Sequence, residues 1–153
     1  MHIRKSPVHM PLVERRFSPA VVYVTVCTKD RKAILHRPEI NTLLGEAWQS
    51  AEGWLVGRYI IMPDHLHLFC APATLEYPEL AKWVKCWKAF VSLNWPVRGE
   101  QPIWQRSFWD TQLRSAEDYE NKQDYMVHNP VRAGLCATPG NWPFQGELNV
   151  LYW

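Results

Sequence analysis

Tyr59-Ile60-Ile61-Met62-Pro63-Asp64-His65-Leu66-His67-Leu68-Phe69 is the stretch on which the architecture of this chain turns. Pro-Asp is a turn dipeptide, so the apolar runs on either side of it, Trp54 to Met62 and His65 to Cys70, read as two strands of a hairpin. Alternate side chains on a strand share a face. His65 and His67 therefore point one way while Leu66 and Leu68 enter a core. Two imidazoles on one strand face are either a metal-binding pair or two partly exposed strand histidines, since histidine is both the commonest metal ligand and a frequent sheet residue.

Working outward, Val21 to Cys27 is a β-branched strand bounded by Pro19 and the charged turn Lys29-Asp30-Arg31-Lys32. Pro38 opens a helix through about Gly53, with Ile40, Leu43, Leu44 and Ala47 at helical spacing. A second helix is predicted from about Tyr77 to Asn94, its apolar stripe formed by Leu80, Trp83, Val84, Trp87, Phe90 and Val91. Lys82, Lys85 and Lys88 fall on its other side, as a solvated face or as phosphate contacts. Ile103 to Leu113 fits a further strand or extended segment. Ser115-Ala116-Glu117-Asp118 resembles a capping box and starts a helix running to about His128, with Ala116, Tyr119 and Met126 as its stripe. Tyr125 and Asn129 lie beside that stripe, four residues apart and so one helical turn apart, where they can serve one site. Read structurally, Tyr125 is a flanking tyrosine and Asn129 a helix terminator before Pro130. This element order predicts an α+β fold, a ferredoxin-like antiparallel sheet with helices packed mainly on one face.

With 153 residues, a single domain spanning 1–153 is expected, with 137–153 as a C-terminal tail that packs on the domain or covers the site. The apolar fraction of 47% and charged fraction of 21% are those of a globular chain. No apolar run approaches the roughly 18 residues needed to cross a bilayer, and Met1 to Pro7 does not lead into a signal-like segment. A cytoplasmic protein without membrane contact is expected. Cys27, Cys70, Cys86 and Cys136 are scattered without a CxxC pair and read as buried free thiols. A net charge of +2 does not by itself identify a nucleic-acid partner. Most of the nine tryptophans are assigned to the core; those flanked by cations can stack on unpaired bases.

Three segments together carry a resemblance: Met62-Pro63-Asp64-His65-Leu66-His67-Leu68, Trp104-Gln105-Arg106-Ser107-Phe108-Trp109-Asp110, and Tyr125-Met126-Val127-His128-Asn129-Pro130-Val131-Arg132-Ala133-Gly134-Leu135. In that order and spacing, over roughly residues 20 to 136, the chain resembles the REP-associated tyrosine transposases, members of the HUH superfamily of single-tyrosine DNA nucleases. The resemblance implies that His65 and His67 bind one divalent cation, Mg²⁺ or Mn²⁺, with Asn129 as third ligand and Tyr125 as nucleophile. Related insertion-sequence transposases commonly carry Gln where Asn129 stands, and many family members carry Asn at the place of Asp64. The implied reaction is cleavage and strand transfer of single-stranded DNA beside a hairpin, such as a REP-like inverted repeat, through a 5′-phosphotyrosine. Arg106, Arg114, Arg132, Lys82 and Lys85 are candidate DNA contacts, and Arg132 can equally brace the helix end. The family implies a monomer or a homodimer.

The chemistry stands beside the resemblance. Phosphodiester cleavage needs an in-line nucleophile and positive charge on the phosphate oxygens, and two imidazoles plus an amide leave coordination positions open. No phosphate-cradling GxxxxGK[ST] loop is present, so ATP is not implied. An amidohydrolase-type metal hydrolase also uses a His-x-His strand, but its barrel needs about 250 residues. The remaining rival is a module of the same fold that binds a DNA or RNA hairpin and cuts nothing.

Overall fold

The computed structural model describes residues 7–14 and 20–153; Pro19, expected to bound the first strand, lies outside the described residues. Strand β1 (Val22–Cys27) leads through a short turn to helix α1 (Pro38–Ser50), and the hairpin of β2 (Trp54–Ile61) and β3 (His65–Pro72) follows. Helix α2 (Leu80–Leu93), strand β4 (Trp109–Gln112), helices α3 (Ala116–Val127) and α4 (Asn129–Arg132) and strand β5 (Gln145–Glu147) complete the order. The five strands form one antiparallel sheet in the order β4-β1-β3-β2-β5. This is the α+β fold expected from the sequence.

Strand alternation divides the sheet into two surfaces. Val24 pairs with Leu68 and Val26 with Leu66, and these four, with Val56 and Ile61 of β2, pack against Ile40, Leu44 and Trp48 of α1 and Trp83, Val84 and Trp87 of α2. Removing such apolar area from water stabilises a fold by about 25 cal/mol per Å², so this layer is the main core. Val21, Ile60, Met62 and Phe69 turn to the other surface, which Tyr119 and Met126 of α3 and Trp142 of the C-terminal segment cover. The two longer helices share one face, and α3 lies across the other.

Helix ends follow local chemistry. Pro38 sits at the start of α1, where its missing N–H costs nothing. Beyond its end Gly53 adopts φ +102°, and a Cβ there would collide with the Pro78 ring, so only glycine serves. At the start of α3 the Asp118 N–H donates to Ser115 Oγ at 3.0 Å, and Asp118 Oδ2 accepts from the Arg114 N–H at 3.2 Å. The cap read from Ser115 is thus formed.

Four details depart from expectation. Ala116 is exposed, so the buried stripe of α3 reduces to Tyr119 and Met126. Lys88 is not on the solvated side of α2: its Nζ donates to the Gln105 carbonyl at 2.7 Å and burial pulls its pKa down. Cys27 and Cys70 are buried free thiols, but Cys86 is exposed and Cys136 half-buried. Tyr77 precedes α2 rather than opening it, because the chain stays extended through Pro78. Six tryptophans, Trp48, Trp54, Trp83, Trp87, Trp95 and Trp142, are buried, which supports their core assignment. The tail adds β5 to the free edge of β2, and Trp142 Nε1 donates to the Ile61 carbonyl at 3.0 Å. Among the described residues no helix is long and apolar enough to cross a membrane.

Candidate active site

β3 places His65 and His67 on the surface opposite the main core, beside Cys27 and Thr25 of β1. The rings lie 4.8 Å apart, nearly perpendicular. Each has its Nδ1 committed: His65 Nδ1 lies 2.7 Å from Asp64 Oδ1, and His67 Nδ1 lies 2.8 Å from Thr25 Oγ1. The carboxylate can only accept, so His65 Nδ1 carries the proton and its Nε2 is left with a lone pair. An acceptor on Nδ1–H is also what orients metal-ligating imidazoles.

α3 crosses this surface toward the pair. Tyr119 meets Phe69 with ring centroids 5.0 Å apart, and three residues on, Lys122 Nζ stands 5.4 Å from the centre of the Tyr23 ring. Tyr23 in turn stacks on His67, centroids 5.3 Å apart and planes at 14°. At the C-terminal end of the same path Asn129 Nδ2 approaches His65 Nε2 at 3.5 Å, a long donor contact that again makes Nε2 the acceptor. Half a turn of the amide exchanges Nδ2 for Oδ1, the atom a cation would take. Residues 64 positions apart in the chain meet here.

Tyr125 is 60% exposed, which leaves its phenol open to a large substrate; it lies near the end of α3, and Asn129, expected on the same helix, instead opens α4 after a break at His128. The Arg132 guanidinium lies 3.7 Å from the centre of its ring, and Arg132 Nη2 donates to the Tyr125 carbonyl at 2.6 Å. Arg132 thus does brace the helix end, and it also sets a cation beside the phenol.

Electrostatics bind these groups into one site. Burial, then the neighbouring His65 and the cations Arg132, Lys122 and Arg31, push His67 down to about 3. Burial also lowers His65, against the opposing pull of Asp64. Burial would raise Asp64, yet its hydrogen bonds to Arg31 and His65 hold it below the usual carboxylate range. Burial and the nearby Tyr125 push Tyr23 well above an ordinary phenol, opposed by Arg132. Both imidazoles are therefore neutral at pH 7, as ligation requires. Among the described residues no group of three His, Cys, Asp or Glu side chains is placed to hold a metal. Two Nε2 atoms and one amide suit a divalent cation that keeps open positions for phosphate and water.

Of the other candidates, Arg106 is exposed on the loop whose Gln105 N–H donates to the Cys27 carbonyl, beside the His65 end of the sheet. Arg114 is exposed where β4 leads into α3, near Val22 and Trp153 at the opposite end. Lys82 and Lys85 are exposed on α2, which covers the face away from the histidines. Sequence reading passed over Tyr23, Thr25, Arg31 and Lys122. Lys122 was within reach of it, three residues before Tyr125 and so on a neighbouring helix position. The others depend on strand pairing.

No protein-family profile matches the chain. A Haemophilus influenzae protein provisionally named a REP-associated tyrosine transposase is 40% identical over 135 residues, covering 80% of this chain and 76% of its own length. An Escherichia coli K12 REP-associated tyrosine transposase is 27% identical over 89 residues, 58% of this chain; the match spans about half of that relative, 52%. Among solved structures, a REP-associated tyrosine transposase bound to a REP hairpin superposes with a TM-score of 0.68 at 23% identity, over 89% of this chain and 82% of that one. A Deinococcus radiodurans structure provisionally assigned as a transposase superposes with a TM-score of 0.52 at 21% identity, over 76% of this chain and 95% of that one. These two likenesses show a shared fold.

Proposed function

The chain belongs to the REP-associated tyrosine transposase family, and from that premise we propose that it cleaves and rejoins single-stranded DNA beside hairpins through Tyr125. The observation that carries the reading is the approach of Asn129, the first residue of α4, to His65 at 3.5 Å, with Tyr125 near the end of α3 close enough to Tyr23, the ring stacked on His67, to push its pKa up. A solved relative holds a REP hairpin, and DNA with REP-like inverted repeats is the substrate class we assign here.

In this reading the Tyr125 Oη bonds to the scissile phosphorus as the bond from phosphorus to the 3′ oxygen breaks. The phenol proton passes to solvent at this exposed position, and the departing oxygen takes one up as a 3′-hydroxyl. The DNA 5′ end stays on Tyr125 as a phosphotyrosine. One ester replaces another of similar energy, so the 3′-hydroxyl of the same or another strand can reverse the step without ATP. His65, His67 and Asn129 would hold Mg²⁺ or Mn²⁺, which when bound offsets charge on the phosphate oxygens. Asp64 and Thr25 hold the two rings with Nε2 outward, and Arg132 keeps the Tyr125 segment of α3 anchored to α4. Lys122 and Arg132 supply positive charge for the backbone, and Tyr23 lies between Lys122 and His67.

The test uses labelled oligonucleotides with a hairpin and a single-stranded flank, in Mn²⁺ or Mg²⁺. The expected outcome is a covalent protein–DNA adduct that is lost in Tyr125→Phe and in His65→Ala or His67→Ala, with DNA affinity largely kept. Tight binding without any adduct across a broad substrate pool would establish the hairpin-binding module instead.

A further inference from the structure

The turn after β1 carries two successive non-glycine residues in the left-handed region, Asp30 at φ 56° and Arg31 at φ 54°. L side chains disfavour that conformation, and such strain persists only where neighbouring structure enforces it. Here Thr28, fully buried, does so: its N–H and Oγ1 both reach the Asp64 carbonyl, at 3.0 and 3.1 Å, and Oγ1 also reaches the Lys32 carbonyl at 2.9 Å. The turn is thereby fastened to the residue that precedes His65.

The consequence falls on the Arg31 side chain. Its Nε donates to Asp64 Oδ2 at 2.9 Å, and its Nη2 stands 3.4 Å from His65 Nδ1, while the side chain stays 52% exposed. A structural ion pair does not need a strained backbone, since ordinary turn residues can offer a cation to Asp64. A guanidinium has five donors in a planar fork, so holding one edge on a carboxylate leaves the rest to face the solvent beside the imidazole pair. That is an arrangement suited to a phosphate oxygen.

We propose that Arg31 binds a backbone phosphate of the DNA strand at the His65/His67 site, held in place by the left-handed turn and by Asp64. The assignment rests on the nuclease reading for its place in the reaction, but the phosphate contact itself is measurable without cleavage.

The experiment compares the wild-type chain with Arg31→Gly, Arg31→Gln and Arg31→Lys. Binding of the hairpin oligonucleotide is followed in EDTA across a salt series. Arg31→Gly and Arg31→Gln should lower the slope of log affinity against log salt by about 0.7, the value for one single-strand phosphate contact, whereas Arg31→Lys keeps it. With Mn²⁺ present, the adduct rate of the Gly and Gln variants should fall on the order of 100-fold. Their Mn²⁺ affinity, read by calorimetry, should change less than that of Asp64→Ala, because Asp64 remains to accept from His65 Nδ1. Arg31→Gln carries the same readouts should the glycine variant be unstable. An unchanged salt slope in both neutral variants overturns the proposal, and a fall in Mn²⁺ affinity without a slope change assigns Arg31 to orienting Asp64 alone. Absence of any adduct from the wild-type chain would remove the nuclease reading while the salt slope still decides the contact.

Discussion

His67 carries the largest protonation cost in the site. Its folded pKa of about 3 lies below the ordinary imidazole value of 6.5, so below about pH 6.5 the unfolded chain takes up a proton that the folded chain refuses. Stability contributed by this group is therefore complete above 6.5 and is lost as pH falls toward 3, at up to about 1.4 kcal/mol per pH unit for one proton. Urea midpoints of the metal-free chain should fall across that window, and His67→Gln should flatten the dependence. A midpoint indifferent to pH between 6.5 and 4 in both proteins would contradict the burial assigned to His67. Asp64 gives a second expectation at this scale. Because it accepts from His65 Nδ1, Asp64→Ala should weaken Mn²⁺ binding by about 10- to 100-fold, read by calorimetry, while Thr25→Val should act through His67 in the same direction. The histidine spacing was legible because the strand period is local, whereas the break at His128 that puts Tyr125 on α3 and Asn129 on α4 was not read from the four-residue spacing. Thr25 and Tyr23 were not legible either, since a strand alone does not say which neighbour it pairs with.

Among the three longer helices, α3 is the one whose position matters most to the candidate site and whose own packing is thinnest. Only Tyr119 and Met126 of its residues are buried, so its start depends on local chemistry. The Ser115 cap is expected to contribute about 1 kcal/mol; Ser115→Ala should lower the unfolding free energy by that amount, seen as a lower urea midpoint with an unchanged slope against denaturant. Because the same helix delivers Tyr125 and Lys122, the adduct rate should also fall more than DNA affinity does. The starts of α1 and α3 followed from Pro38 and Ser115, residues whose effect is confined to one turn, while α1, expected to run to about Gly53, ends at Ser50. Lys88 was misplaced because its carbonyl partner sits on the loop before β4, 17 residues on, and no helical period encodes that neighbour.

At the scale of the molecule, the C-terminal segment closes the surface that α3 leaves open. Trp142 is buried, with Nε1 on the Ile61 carbonyl, and shares a cluster with Ile60, Met62 and Phe69. Trp142→Ala should destabilise by about 3–5 kcal/mol, measured by urea unfolding; a loss under 1 kcal/mol would mean that the tail is not part of the packed structure. The cluster lies on the same sheet surface as His65 and His67, which ties the tail to the site through β2 and β3. By itself the sequence determined the hairpin, the faces of its strands and the starts of α1 and α3, because alternation, capping and turn chemistry act over a few neighbouring residues. Only the tertiary structure decided that α3 crosses the histidine face, that α2 and its lysines lie behind the sheet, and that Arg31, Tyr23 and Thr25 surround the imidazoles. Those outcomes depend on strand order and on contacts between residues dozens of positions apart, which no local period carries.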